Sequence, residues 1–237
     1  MNLDNLIDLL KQKFVSIDIA KVKADILIYK NFLQQENQKF NLTNLCDEKD
    51  VYQKYFYESV INYHSSDFEK QNLNLLDIGS GSGIPGVLLK ILFPDINLYI
   101  VEPNNKKTQF LTQLIKLLNF KNCFIENKRC ETYIKDKVEF FDIVTCRAVA
   151  ELRILLELSY SGLKIGGKAI FLKSHNFKNE INNAFQICNL LQIENKPDVE
   201  KVVYENKTFV RLTYPKNKSV SNKFPRNWKQ ILDNDKN

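Results

Sequence analysis

The sequence predicts an α/β chain built on a doubly wound, mostly parallel sheet of seven strands, with a helical cap ahead of it and an antiparallel hairpin at its end. Three observations predict it. Leu73–Gly86, reading LNLLDIGSGSGIPG, runs an apolar strand into glycines at 79, 81, 83 and 86, and Pro85 falls where a helix can begin. After it, apolar runs of strand length alternate with amphipathic stretches of helix length, the pattern of βα repeats. Finally, two strand-like runs are separated only by Asn206-Lys207, a connection that pairs them antiparallel.

The elements follow in order. Leu3, Leu6, Leu10 and Phe14, then Val22, Ile26, Tyr29 and Leu33, recur at intervals of three or four, so two helices open the chain. Phe40-Asn41-Leu42-Thr43 reads as a turn, and helix returns from about 50 to 64 with Val51, Tyr55 and Val60 inward. Strands are expected at 73–78, 97–102, 123–127, 140–146 and 168–173, with helices at 85–93, 105–119, about 130–135 and 151–160 between them. Gly162 can end the last of these helices, and Gly166-Gly167 can turn the chain into the fifth strand. A helix at about 177–192 leads to strands 199–205 and 208–214. Three regions result: a cap at 1–70, a ligand-binding domain at 71–215 and a basic tail at 216–237.

At 237 residues, 44% hydrophobic and 26% charged, the chain can bury a full core, and it has no apolar run of the roughly 18 residues a membrane span needs. Its start lacks the basic-then-apolar order of a signal peptide, so a cytoplasmic protein is expected. Five cysteines without a C-x-x-C pair and two distant histidines point to neither a disulfide framework nor a metal site. They also argue against a Ser-His-Asp hydrolase. The charge of +6 is unevenly spread: residues 1–70 carry nine basic and eleven acidic side chains, whereas Lys216–Lys229 carries five basic ones and no acid. Lys106, Lys107, Lys116, Lys121, Lys128 and Arg129 are opposed only by Glu126 within their stretch. Such a surface suits a polyanion such as nucleic acid, and a solvated helix face with an unstructured tail would look the same by charge alone.

The glycine stretch points to a nucleotide-like cofactor, because backbone N–H groups and a helix start can approach a ligand there without side chains intervening. Gly81–Gly86 also fits the dinucleotide pattern G-x-G-x-x-G, a weak signal alone. Asp77, two residues before Gly79, gives the acid-x-Gly-x-Gly-x-Gly form associated with S-adenosylmethionine (AdoMet) enzymes, in which the strand-end acid lies near the cofactor's positively charged methionine part. Glu102 ends the next strand nineteen residues after Gly83, where a carboxylate can accept both ribose hydroxyls. The cofactor site predicted from these residues comprises Gly79, Gly81, Gly83 and Glu102.

With these motifs the sequence resembles the bacterial small-subunit ribosomal RNA guanine-N7 methyltransferases, the GidB or RsmG family. The likeness begins at Phe40-Asn41-Leu42-Thr43 and continues through Asp77–Gly86 to Lys106 and Phe110-Leu111. Arg129-Cys130-Glu131 is similar to the family's Arg-x-Glu, Cys146-Arg147-Ala148 to its Ser-Arg-Ala, and Leu172-Lys173 to its Leu-Lys. The chain departs from the pattern at Tyr55 and Glu58, where the family usually has His and Asp, although Ser59 is kept. Glu102 stands where Asp is frequent, and Asn227-Trp228-Lys229 follows the retained Phe224-Pro225-Arg226.

The resemblance implies a Rossmann-like, class I AdoMet-dependent methyltransferase fold, with AdoMet touching Gly79, Ile84, Cys130, Glu131 and Arg147. It also implies 16S ribosomal RNA or the small ribosomal subunit as partner, with neither metal nor membrane and with a monomeric enzyme. Arg147 suits either the cofactor's carboxylate or O6 of a guanine, as a positioning group. Basic side chains expected to meet RNA are Lys106, Lys128, Lys173, Lys223 and Arg226, with Phe224 and Trp228 as faces for unpaired bases.

Methylation at guanine N7 needs little acid–base help, since N7 has a free lone pair, and positioning can carry the reaction. Other readings stay open at this level. Thr145-Cys146 would suit a covalent pyrimidine C5 methyltransferase. A small-molecule methyltransferase, a dehydrogenase and a non-catalytic RNA-binding protein are further alternatives.

Overall fold

In a computed structural model, which describes residues 1–40, 42–43 and 47–233, the seven strands form one sheet in the order β3-β2-β1-β4-β5-β7-β6. The cap holds α1 (Leu3–Lys13) and α2 (Ile19–Phe40), then α3 (Glu48–Asp50), a π-helical stretch (Val51–Tyr57) and α4 (Glu58–Val60) as one continuous rod. Asn2 caps α1 by accepting from Asn5 N at 2.8 Å, which is the start signal the apolar spacing leaves out. Next come β1 (Asn74–Ile78), α5 (Gly86–Leu92), β2 (Asn97–Val101), α6 (Asn105–Leu117), β3 (Cys123–Glu126) and α7 (Cys130–Tyr133). The second half holds β4 (Phe141–Arg147), α8 (Leu152–Tyr160), β5 (Leu163–Lys173), α9 (Phe177–Asn183) and α10 (Phe185–Leu191). Then β6 (Asp198–Tyr204) and β7 (Lys207–Pro215) form the hairpin, and α11 (Trp228–Leu232) follows.

Strands β1 to β5 pair in parallel and β7 runs antiparallel to both β5 and β6, as the sequence pattern predicts. The order reverses between β1 and β4, so a crevice opens beyond their carboxyl ends, where ligands of such sheets bind. One face of the sheet packs against the cap, α5 and α6 in a single core that includes Leu6, Tyr29, Phe56, Leu75 and Leu111. The other face packs against α7, α8 and α10 around Leu76, Val144, Leu155 and Cys188. Residues 1–70 therefore share their core with the sheet.

Three expectations are corrected. Strand β5 begins at Leu163, because Gly166-Gly167 lies within it and a register shift between Phe141 and Ile143 absorbs the irregularity. The segment at 177–192 is two helices with a break at Ala184. The tail also packs on the domain, with Phe224 buried and Lys216 only 1% exposed, its Nζ donating to Leu163 O at 2.7 Å. The turn residue Asn41 and Cys46 lie outside the described residues.

A buried fork locks the two ends of the domain together. Arg211 Nη1 and Nη2 donate to Asp67 Oδ2 and Oδ1 at 2.6 and 2.8 Å, and both side chains are almost wholly buried. Burial alone would push the Asp67 carboxyl up, but the paired guanidinium, together with Lys168, holds it down at about 2.

Candidate functional site

The glycine loop leaves β1 at Ile78 and crosses the crevice to α5. Gly81 has φ +63°, a conformation other residues adopt only with strain, and a side chain there would point into open space, with Lys107 Nζ as its nearest neighbour at 4.0 Å. Gly79 and Gly83 share the positive φ. At Gly86 the constraint is closeness: a Cβ would stand 2.6 Å from Asp77 Oδ2, so only glycine lets α5 begin against that carboxylate.

Asp77 is fully buried at the end of β1. Its Oδ2 accepts from Ser80 Oγ at 2.5 Å and from Gly86 N at 2.9 Å. Its Oδ1 has no hydrogen-bond partner. Burial pushes this carboxyl up to about 7, against the two hydrogen bonds that lower it, and the Glu102 charge adds to the rise. A buried acceptor without a donor costs about 1–3 kcal/mol unless a ligand's N–H satisfies it, and the positively charged methionine part of AdoMet carries an ammonium that can donate.

Glu102 lies across the loop. Its Oε2 accepts from Gly81 N and its Oε1 from Asn104 N, both at 2.9 Å. Each oxygen keeps a lone pair, which is what a ribose diol requires. Cys130 and Glu131 form the first turn of α7, whose N–H groups have no acceptor inside the helix. Ile84 is half-buried against the core. An orphaned acid, an open glycine cradle and a second carboxylate one strand over together fit AdoMet.

Arg147 ends β4, and its guanidinium turns to the cap. Its Nη1 and Nη2 donate to the carbonyl oxygens of Tyr55 and Lys54, at 3.2 and 2.8 Å, so two of its five donors anchor the π-helical stretch. Tyr55 Oη in turn donates to Ser82 Oγ at 2.5 Å, and Tyr29 Oη donates to Ser82 O at 2.6 Å. The spacing of apolar residues reads both tyrosines as core, and their hydroxyls carry the cap onto the glycine loop. The turn after β4 touches the loop as well: a Cβ on Gly79 would lie 3.0 Å from Val149.

On the other side of that turn opens a cleft of about 610 Å³ at the carboxyl ends of β4 and β5, lined among others by Glu58, Asn62, Arg147, Leu172, Lys207 and Phe209. The sequence marks Glu58 as a departure from a family pattern and gives Asn62 no signal at all.

The expected RNA contacts divide. Lys106, Lys128 and Lys223 are exposed, with Lys106 over the Phe40 ring, Lys128 3.4 Å from Glu126, and Lys223 over the Phe224 ring. Lys173 and Arg226 are held in ion pairs within the protein. Lys173 Nζ is held by Glu180 Oε2 at 2.6 Å and Ala150 O at 2.9 Å, with its side chain 7% exposed. Arg226 grips both oxygens of buried Glu157 at 2.8 Å, with its own backbone N–H on the same carboxylate. Trp228 is partly buried and stacks under Arg129, whose guanidinium lies 5.2 Å from its ring. Cys146 is buried in the apolar core, and burial pushes its thiol up to about 12, the opposite of an activated nucleophile. Among the described residues no group of His, Cys, Asp or Glu could hold a metal, and no helix is long and apolar enough to cross a membrane.

Sheet order, glycine cradle and paired acids define an AdoMet-dependent methyltransferase. Comparison with known proteins narrows the class: the profile of GidB, rRNA small subunit methyltransferase G, matches residues 22–208, and the chain belongs to that family. It is 60% identical to the ribosomal RNA small subunit methyltransferase G of Malacoplasma penetrans over 100% of both chains. It is 36% identical to the enzyme of that name in Mesoplasma florum, over 90% of this chain and 89% of that one. Among solved structures, a Methanococcus maripaludis protein provisionally assigned to the S-adenosyl-L-methionine-dependent methyltransferases superposes with a TM-score of 0.50. It is 14% identical, over 80% of this chain and 93% of that one, which shows the shared fold alone.

Proposed function

We propose that this chain methylates N7 of a guanine in 16S ribosomal RNA, acting in the cytoplasm as a monomer on the RNA or on the small ribosomal subunit. The observation that carries the reading is the turn Arg147–Ala150, which forms one wall of the 610 Å³ cleft and at the same time packs Val149 against the glycine loop. A base in the cleft and a cofactor in the cradle would thus both border this turn, and one chain supplies both sides. When bound, AdoMet supplies a methyl group already activated by its sulfonium.

The chain's residues then have three tasks. Asp77 offers a buried carboxylate to the cofactor's positive charge, and Glu102 orients it from the far side of the loop. Arg147 fixes the π-helical stretch, and with it the cleft wall, relative to β4. Gly79, Gly81, Gly83 and Ile84, with the first turn at Cys130 and Glu131, shape the cradle itself. No general base is required, because N7 attacks with its own lone pair. The protonated thiol of Cys146 removes the support for covalent attack on a pyrimidine. Lys106, Lys128 and Lys223 are the exposed cations that meet RNA phosphates.

The test is to incubate the protein with methyl-labelled AdoMet and small-subunit ribosomal RNA, digest the RNA to nucleosides and identify the labelled one by mass spectrometry. Label in 7-methylguanosine is expected. Label in any other nucleoside, or none in RNA, overturns the reading.

A further inference from the structure

Two buried polar side chains line the cleft, one of them without a hydrogen-bond partner. Asn62 is 2% exposed and its Oδ1 is a buried acceptor without a donor, although its backbone carbonyl is held by Arg211 Nη1 at 3.1 Å. Glu58, four residues earlier at the start of α4, is 8% exposed and receives Lys207 Nζ on Oε1 at 3.2 Å. A buried carboxylate and a buried amide oxygen thus line one cleft as acceptors. Their natural complement is a planar group with adjacent N–H donors.

Guanine has such an edge. Its N1–H and N2–H₂ point away from N7, whereas adenine offers an acceptor at N1 and no 2-amino group. The cleft is oriented accordingly. Tyr55 is tied to the glycine loop through Ser82, Glu58 follows it one helical turn further along the rod, and Asn62 comes in the turn after α4. A base with N7 turned to the loop would direct its opposite edge at them. Phe209 and Leu172 supply apolar walls for its faces, the arrangement in which enzymes that act on a base read it after drawing it from the stack. A volume of about 610 Å³ lies within the usual range for small-ligand sites.

We propose that this cleft seats the methyl-accepting guanine, with Glu58 accepting from N1–H and N2–H and Asn62 Oδ1 from the remaining N2–H. The assignment rests on the guanine-N7 reading above and adds to it the residues that tell guanine from other purines. Lys207 holds Glu58 in place, and Arg147 fixes the helical stretch that carries it.

The experiment measures methyl transfer to ribosomal RNA at saturating AdoMet, with GMP, IMP and AMP as competitors. IMP is GMP without the 2-amino group. In the wild-type protein GMP should inhibit at least about fivefold more strongly than IMP, the lower end of what a bidentate base-edge contact supplies, and AMP should be weakest. Glu58→Gln and Asn62→Leu should lower kcat/KM for RNA at least about tenfold and abolish the preference for GMP over IMP, with AdoMet affinity unchanged. Glu58→Asp should restore the preference. Equal inhibition by GMP and IMP in the wild-type protein overturns the proposal whether or not the variants fold, as does a Glu58→Gln enzyme with wild-type kcat/KM and ranking. If the wild-type product is not 7-methylguanosine, the functional reading itself fails, an outcome the nucleoside digest separates from failure of the cleft assignment alone.

Discussion

Replacing Asp77 with Asn tests the strand-end acid through stability as well as binding. In the folded protein burial holds this carboxyl at about 7, against an ordinary value of 3.8. A carboxyl whose folded pKa is raised keeps its proton after the unfolded chain has lost it, so between about pH 4 and 7 the folded state binds more protons and stability falls as pH rises. At about 1.4 kcal/mol per pH unit, the gap of roughly three units costs about 4 kcal/mol at pH 8. Asn keeps the shape, and its amide oxygen can accept from Gly86 N, but it has no proton to lose. Urea denaturation of the cofactor-free protein should therefore show the Asn variant gaining on the wild type by about 4 kcal/mol from pH 4 to 8, then levelling off. Groups common to both proteins cancel in that difference. A difference that is flat with pH, or that falls, refutes the reasoning. The same variant should lose AdoMet affinity, and wild-type affinity for AdoMet should climb up to about pH 7 more steeply than that for neutral S-adenosylhomocysteine.

Three further outcomes are expected. Gly81→Ala should weaken AdoMet at least about tenfold in a calorimetric titration while costing only about 1–2 kcal/mol of stability, since its Cβ meets strain at φ +63° and open cradle rather than core. Arg226→Ala should destabilise the fold by about 3 kcal/mol or more, read by denaturant melts, because it strands the buried Glu157 carboxylate; the salt dependence of RNA binding should stay as it was. Neutralising Lys106 and Lys128 together should instead reduce the slope of log affinity against log salt by about 1.5 to 2 if both touch phosphates, with thermal stability unchanged.

The sheet and glycine loop are legible in the sequence because their signals are local. Strand and helix periodicity, the acid before the first glycine and the two-residue hairpin connection each depend on neighbours in the chain. The ion pairs of Arg226 and Lys173 are hidden for the complementary reason: a basic residue reads as a free cation until the fold brings Glu157 or Glu180 to it. Glycine chemistry at 166–167 indicates a turn, and only pairing with β4 shows a strand irregularity instead. One local signal was there to be read: Asn227 and Gln230 form a capping box at the start of α11. Glu58 and Asn62 acquire meaning only from the cleft, whose far wall of Lys207 and Phe209 arrives nearly 150 residues later.

The Asp67–Arg211 fork also governs the order in which this chain can fold. Its partners stand 144 residues apart, and without the fork Asp67 keeps only Lys168 as a counter-ion and Arg211 only the more distant Glu200. During synthesis the cap is complete long before Lys168 and then β7 exist, so its final packing around Asp67 waits for both cations. The strand carrying Arg211 also pairs with β5 inside the sheet, so its arrival completes the hairpin and releases the cap to dock in a single late step. Folding of such high contact order is slow and cooperative. Pulse-labelling by hydrogen exchange should accordingly find the cap helices gaining protection together with β7, not ahead of it.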